Sequence, residues 1–190
     1  MKKLVALLMA GVVCVSTIGC SKPTQEVEVS FLVTDKSYSN ANEYVDYLNS
    51  SNTEGIEYSV YENDDMYYSK TITEKARQEC LETVDKNHLE KSFDNLLESD
   101  YTSGALTSAE VKDDKMQEVV FYADSSIYAK EGVEDVVNEL TAMFYLNISD
   151  MYQAYNLVKP EDRVYTFTIV DKDSNDVLYE YDYSKESTEE

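Results

Sequence analysis

Residues 132–160 read GVEDVVNELTAMFYLNISDMYQAYNLVKP. Val133, Val136, Val137, Leu140, Met143, Phe144, Ile148, Met151, Ala154, Tyr155 and Val158 recur there at spacings of three and four, the signature of an amphipathic helix. The pattern predicts a helix of about 26 residues, roughly 39 Å long, with Pro160 as its stop. Asn147 falls inside the stripe, between Phe144 and Met151. A buried amide must find partners, so Asn147 is read as bonding either to sheet backbone or into a small polar pocket. Leu146, Tyr152 and Leu157 lie off the stripe, so a second neighbour is expected on the helix's back: the N-terminal region, another subunit or a ligand.

Around this helix the chain alternates hairpins and helices. Ile56, Tyr58 and Val60 alternate with polar neighbours, Asn63-Asp64-Asp65 supplies a turn, and 66–72 returns as a second strand. Thr71 with Glu74, or Thr73 itself, caps a helix over 73–98. Its two apolar sets, Ala76/Cys80/Val84 and Leu89/Phe93/Leu96/Leu97, do not share one face, which predicts a bend near Asp85-Lys86-Asn87. Residues 105–112 and 116–122 form a second hairpin, and 163–170 with 177–183 a third. Antiparallel strands with one apolar face need helices to cover it. The expected fold is therefore α+β: a single antiparallel sheet of about six strands, in the order hairpin-helix-hairpin-helix-hairpin, with two long helices packed on one face.

The N-terminus carries a different signal. Lys2 and Lys3 precede an apolar run from Leu4, too short for the roughly 20 residues of a bilayer span, and typical of a secretory signal. The run ends in Thr17-Ile18-Gly19-Cys20, which resembles a bacterial lipobox with Thr17 where Leu is usual. Cys20 is the expected lipidation site. The expected organisation is a signal peptide over 1–19, a lipid-attached tether over 20–54 that includes a short strand near Val27–Val33 and a helix near Asn42–Leu48, an α+β domain over 55–184 and a flexible tail over 185–190. Removal of 1–19 leaves 171 of 190 residues and takes the formal charge from −22 to −24, because two lysines depart. Such a charge argues against nucleic acid and anionic headgroups as partners, so membrane attachment is assigned to acyl chains at the outer face of the cytoplasmic membrane. Cys14 leaves with the signal and Cys20 is expected to be alkylated, which makes Cys80 a lone, buried small hydrophobe.

The lipobox, the hairpin and helix start EYSVYENDDMYYSKTITEKARQECLE, the pair EVKDDKMQEVVFYAD and the distal VYTFTIVDKDSNDVLYEY together resemble small uncharacterised lipoproteins of Gram-positive, Firmicutes-type bacteria. The resemblance covers roughly residues 55–183. It implies an envelope location and the fold above, and supplies no catalytic residue.

Candidate sites were weighed by their chemistry. The loop Asp171-Lys172-Asp173-Ser174-Asn175-Asp176 places oxygen ligands at positions one, three and five, as a calcium loop does, yet lacks Gly at six and Glu at twelve. A polar turn is the first reading and a low-affinity calcium site at Asp171, Asp173 and Asn175 the alternative. No other cofactor is expected. His88, the one histidine, comes without the partners of a zinc site or triad, and with 38 acidic residues no pair of glycosidase carboxylates can be singled out. Tyrosine is the informative excess: 17 Tyr against five Phe and no Trp. Tyr combines an apolar face with a hydrogen-bonding tip and suits binding surfaces as well as half-buried sheets. Tyr179, Tyr181 and Tyr183 share one strand face with Val177, and Tyr58, Tyr67 and Tyr68 would extend it if the first and last hairpins were neighbours. The expected function is non-catalytic binding of an envelope protein or glycan through this tyrosine surface. A small-ligand or cation-binding lipoprotein is the alternative, and an envelope hydrolase the third choice; the oligomeric state is left open.

Overall fold

A computed structural model describes residues 25–35, 37–52, 55–84, 93–113 and 115–183. Its longest helix, α5 (Val133–Tyr155), has 23 residues, about 35 Å of rise. Gly132 precedes it with φ 75°, a backbone state that costs glycine little, and Glu134 and Asp135 favour the positive end of the helix dipole. The helix stops five residues before Pro160. Leu157 turns left-handed (φ 59°), its N–H bonds to Ala154 O at 2.9 Å, and Val158 N–H bonds to Gln153 O at 3.0 Å. That pair of bonds is a Schellman ending, so the chain closes the helix with its own backbone, and Pro160 instead opens the 3-10 turn Pro160–Asp162.

The strands form two sheets. Sheet A holds β1 (Glu26–Leu32), β2 (Tyr58–Val60) and β3 (Tyr67–Thr73) in the order β1-β3-β2, all antiparallel. Sheet B holds β4 (Leu106–Val111), β5 (Glu118–Ala123), β6 (Thr166–Asp171) and β7 (Val177–Asp182) in that order, with β5 and β6 parallel. The helices besides α5 are α1 (Ala41–Ser51), α2 (Glu74–Thr83), the turn α3 (93–97) and α4 (Ser125–Tyr128). No helix among the described residues is long and apolar enough to cross a membrane.

The single antiparallel sheet with two long helices is therefore incorrect. All three hairpins form, but β1 takes the free edge of β3 along its seven residues, and this gives the first hairpin a sheet of its own. α5 carries the chain back from the end of β5, so β6 starts beside the start of β5 and runs parallel to it. Only α5 is long. α2 ends at Thr83 and serves sheet A, and the expected bend at 85–87 lies outside the described residues.

Two cores result, and α5 belongs to both. The larger joins sheet B to Val137, Tyr145 and Ile148 of the helix, with Phe93, Leu96, Phe121, Phe167 and Ile169 fully enclosed. The smaller lies against sheet A, where Val29, Phe31, Cys80 and Val84 meet Ala154 and Tyr155 at the helix's C-terminal end. Of the off-stripe apolar residues, Tyr152 packs against both cores, Leu146 packs against the larger one and Leu157 is exposed, so sheet A accounts for Tyr152 alone.

Candidate functional site

Two arrangements concentrate chemistry, one open to solvent and one sealed. The open one is a chain of aromatic rings on sheet A and α1. Asn40 caps α1 by accepting the Glu43 N–H at 3.0 Å, which fixes the helix start and sets Tyr44 and Tyr47 one turn apart. Tyr38, in the preceding turn, lies 5.0 Å from Tyr44 and 5.3 Å from Tyr47 between ring centroids. Tyr44 meets Tyr68 of β3 edge-on at 5.1 Å, Tyr58 of β2 lies 6.2 Å from Tyr68, and Phe31 of β1 stacks on Tyr68 at 5.5 Å. Tyr155 closes the row against Phe31 at 5.4 Å. The row runs from Tyr47, 47 % exposed, to Tyr155, 4 % exposed. Burial, then the nearby Asp35 carboxylate, pushes the Tyr44 phenol up to about 12.

The sealed arrangement centres on Asp150 of α5 and Arg163, whose side chains are 4 % and 1 % exposed and 2.6 Å apart. Asp150 Oδ1 also accepts the Tyr165 hydroxyl at 2.7 Å, and Oδ2 accepts Leu32 N–H at 2.9 Å. Arg163 donates to Ser30 O at 2.9 Å and Val158 O at 3.0 Å, and lies over the Tyr67 ring at 5.6 Å. β1 turns its odd-numbered residues towards β3, as in Val33 N–H to Met66 O at 2.8 Å, so Ser30 O and Leu32 N–H face the other way. Those are the two groups that one residue of a parallel neighbour would engage. The ion pair stands in for that missing strand and closes the edge of sheet A. A second polar row on α5 serves sheet B: Tyr145 accepts Thr166 N–H at 2.9 Å and donates to Gln117 O at 2.8 Å, while Gln153 bonds to Val164 O at 2.9 Å.

The sequence-selected tyrosines fall into separate environments. Tyr58 and Tyr68 share one face of sheet A, whereas Tyr67 projects from the opposite face towards Arg163. On β7, Tyr181 is buried and stacks on Phe167 at 4.9 Å, with Tyr179 at 5.8 Å from the same ring. A bulge opposite Ile169/Val170 separates them from Val177, which is 56 % exposed. Tyr183 meets Tyr165 edge-on at 5.7 Å, and the β7 tyrosines pack on the larger core while Tyr68 packs on the smaller one. Asn147 accepts from Thr34 Oγ1 at 2.7 Å and donates to Met143 O at 2.7 Å, tying α5 to the segment after β1. Asp171 spends its oxygens on backbone N–H groups: Asp173 at 3.0 Å, Ser174 at 2.8 Å and Ser125 at 3.3 Å. Asp173 pairs with Lys172 at 2.5 Å, and Asn175 is left-handed at the turn (φ 61°). No group of three His, Cys, Asp or Glu side chains among the described residues could hold a metal ion. Cys20 and His88 lie outside the described residues.

Asp150, Arg163 and Tyr165 were not selected from the sequence, although a signal existed. The chain has only two arginines, Arg77 and Arg163, among 16 basic residues. Arg77 bonds to Tyr155 O at the end of α5, where cations are favoured, and Arg163 to Val158 O three residues beyond it. The chain matches no known protein family, no curated protein and no solved structure.

Proposed function

We propose that this chain is a lipid-anchored envelope protein, attached through Cys20, that binds a macromolecular partner through the tyrosine face of sheet A and α1, without catalysis. The observation that carries the reading is the ring chain from Tyr47 through Tyr44 to Tyr68, a rigid aromatic platform with its outer end in solvent. Rigid aromatic side chains give large contact area at low entropic cost, which is why they dominate binding hot spots. The binding surface differs from the six tyrosines selected from sequence: exposed Tyr47 and half-buried Tyr38, Tyr58 and Tyr68 form it over buried Tyr44, while Tyr67 and the β7 tyrosines support the interior. The sealed ion pair supports a non-catalytic reading, because Asp150, Arg163 and Tyr165 spend their bonds on the chain.

The test places a benzophenone amino acid at position 47, or at exposed position 136 on α5 as a control, in cells of the source bacterium. A discrete macromolecular adduct from position 47 that is missing from position 136 is expected. Equal adducts, or none from position 47, would refute the tyrosine face. Cys20→Ala should abolish acyl-chain labelling and membrane retention, and unchanged labelling would refute the anchor.

A further inference from the structure

Residues 37–69 contain seven tyrosines, seven aspartates and glutamates, and no lysine, arginine or histidine. The segment supplies α1, β2 and most of the aromatic row; it is bounded by Lys36 and Lys70, the latter paired across the strands with Tyr58, so the uncompensated acidity lies at the α1 end. Glu43 and Asp46 stand exposed on α1 beside Tyr47. Burial raises the phenols of both Tyr38 and Tyr44, and the Asp35 carboxylate adds to each rise. A tyrosine face attracts cations through its quadrupole, and carboxylates around it add to that attraction.

The protein already uses this chemistry internally. The Lys70 ammonium sits 5.1 Å over the Phe31 ring, on the same face of sheet A as Tyr68, and the Arg163 guanidinium 5.6 Å over Tyr67 on the other. Both cation–ring contacts found among the described residues are on sheet A. A second copy of the chain is a poor occupant, because two molecules of formal charge −22 repel.

We propose that the outer end of the tyrosine face docks a lysine- and arginine-bearing segment of a partner protein, its cationic heads over Tyr47 and beside the carboxylates of Glu43 and Asp46. This rests on the tyrosine-face reading and narrows it to one class of partner.

The test uses the full-length chain in non-ionic detergent and fluorescence anisotropy with three probes: a labelled peptide alternating Lys and Ser, its Glu/Ser counterpart, and an N-acetylglucosamine oligomer. Preferential binding of the Lys peptide is expected, weakened about tenfold by Tyr47→Ala and also by Glu43→Gln with Asp46→Asn. It should fall with added salt and be unchanged by Val136→Ala. Circular dichroism checks that each variant folds. Equal binding of the Lys peptide by Tyr47→Ala would overturn the proposal, leaving only diffuse charge attraction, and so would failure of that peptide to bind. If the glycan oligomer binds instead, and Tyr47→Ala weakens it, the cationic partner is refuted while the tyrosine face stands. If Tyr47→Ala changes neither probe, both fall.

Discussion

Replacing Arg163 with Met keeps much of the side-chain stem but removes the guanidinium, and four acceptors lose a donor: Asp150 Oδ1, Ser30 O, Ser30 Oγ and Val158 O. Tyr165 and Leu32 still donate to Asp150, yet its carboxylate, 4 % exposed, is left without a counter-charge. Breaking a buried pair in this way costs about 3–5 kcal/mol, a fall of roughly 6–20 °C in Tm for a chain of this size. The loss should depend on pH. Burial already pushes the Asp150 carboxyl above its ordinary value, and Arg163 opposes that rise. Without Arg163 the folded-state pKa climbs further above the unfolded one. The variant is then most stable below the unfolded value and loses stability as pH rises through the folded value. Urea unfolding at pH 5 and pH 8 should therefore show the larger deficit at pH 8. Adding Asp150→Asn to the variant removes the stranded charge and should recover at least about 1 kcal/mol at pH 8. A deficit below about 1 kcal/mol for Arg163→Met, or one identical at both pH values, would refute the view that this pair closes the sheet as a charged unit.

Thr141 is fully buried on α5, and its hydroxyl has no hydrogen-bond partner among the described residues. Thr141→Val keeps the shape and removes the polar atom, and should raise stability by about 1 kcal/mol in thermal unfolding; a loss of stability would count against that picture. Glu74 is held down to about 2 by hydrogen bonds from Arg77 and then Gln78. Its stabilising contribution should be full above the unfolded carboxyl value and disappear as pH falls through about 2. Carboxyl NMR titration checks this, Arg77→Met should move the midpoint up, and an ordinary midpoint in the unaltered protein would contradict the pairing. Calcium at about 1 mM should leave the amide signals of residues 171–176 unshifted, because the turn's own N–H groups occupy Asp171; saturable shifts there would restore the cation site.

Much of the local structure was legible because it is encoded locally. The apolar spacing of 133–155 identified α5, and Asn63-Asp64-Asp65 and the Asp171 loop marked real turns. Long-range pairing was not legible. Nothing in Val27, Val29 and Phe31 says that their partners are Ile72, Lys70 and Tyr68, and an alternating strand is equally suited to the edge of either sheet. The parallel pairing of β5 with β6 depends on how far α5 carries the chain back, which no residue in either strand specifies. Pro160 misplaced the helix end because Leu157 reached a left-handed backbone first, a state that bulky residues rarely signal. At the candidate site, Tyr58, Tyr67 and Tyr68 were grouped as one extension of the β7 tyrosines, but the hairpins lie in separate sheets and strand alternation sends Tyr67 to the face opposite Tyr58 and Tyr68. Asn147 drew attention as the amide in the stripe, while the more consequential polar group stood three residues later at Asp150.

The edge of β1 also imposes an order in time. Leu32 waits for Asp150, 118 residues downstream, and Ser30 for Arg163, 133 residues downstream. At synthesis rates of about 5–20 residues per second, the first of these separations is some 6–24 s of elongation. During that interval the earliest strand to emerge cannot have its outer hydrogen-bonding groups satisfied by the native ion pair. A nascent or translocating chain is therefore open to pairing with other strands at this point, and truncations that end before residue 163 should aggregate through β1.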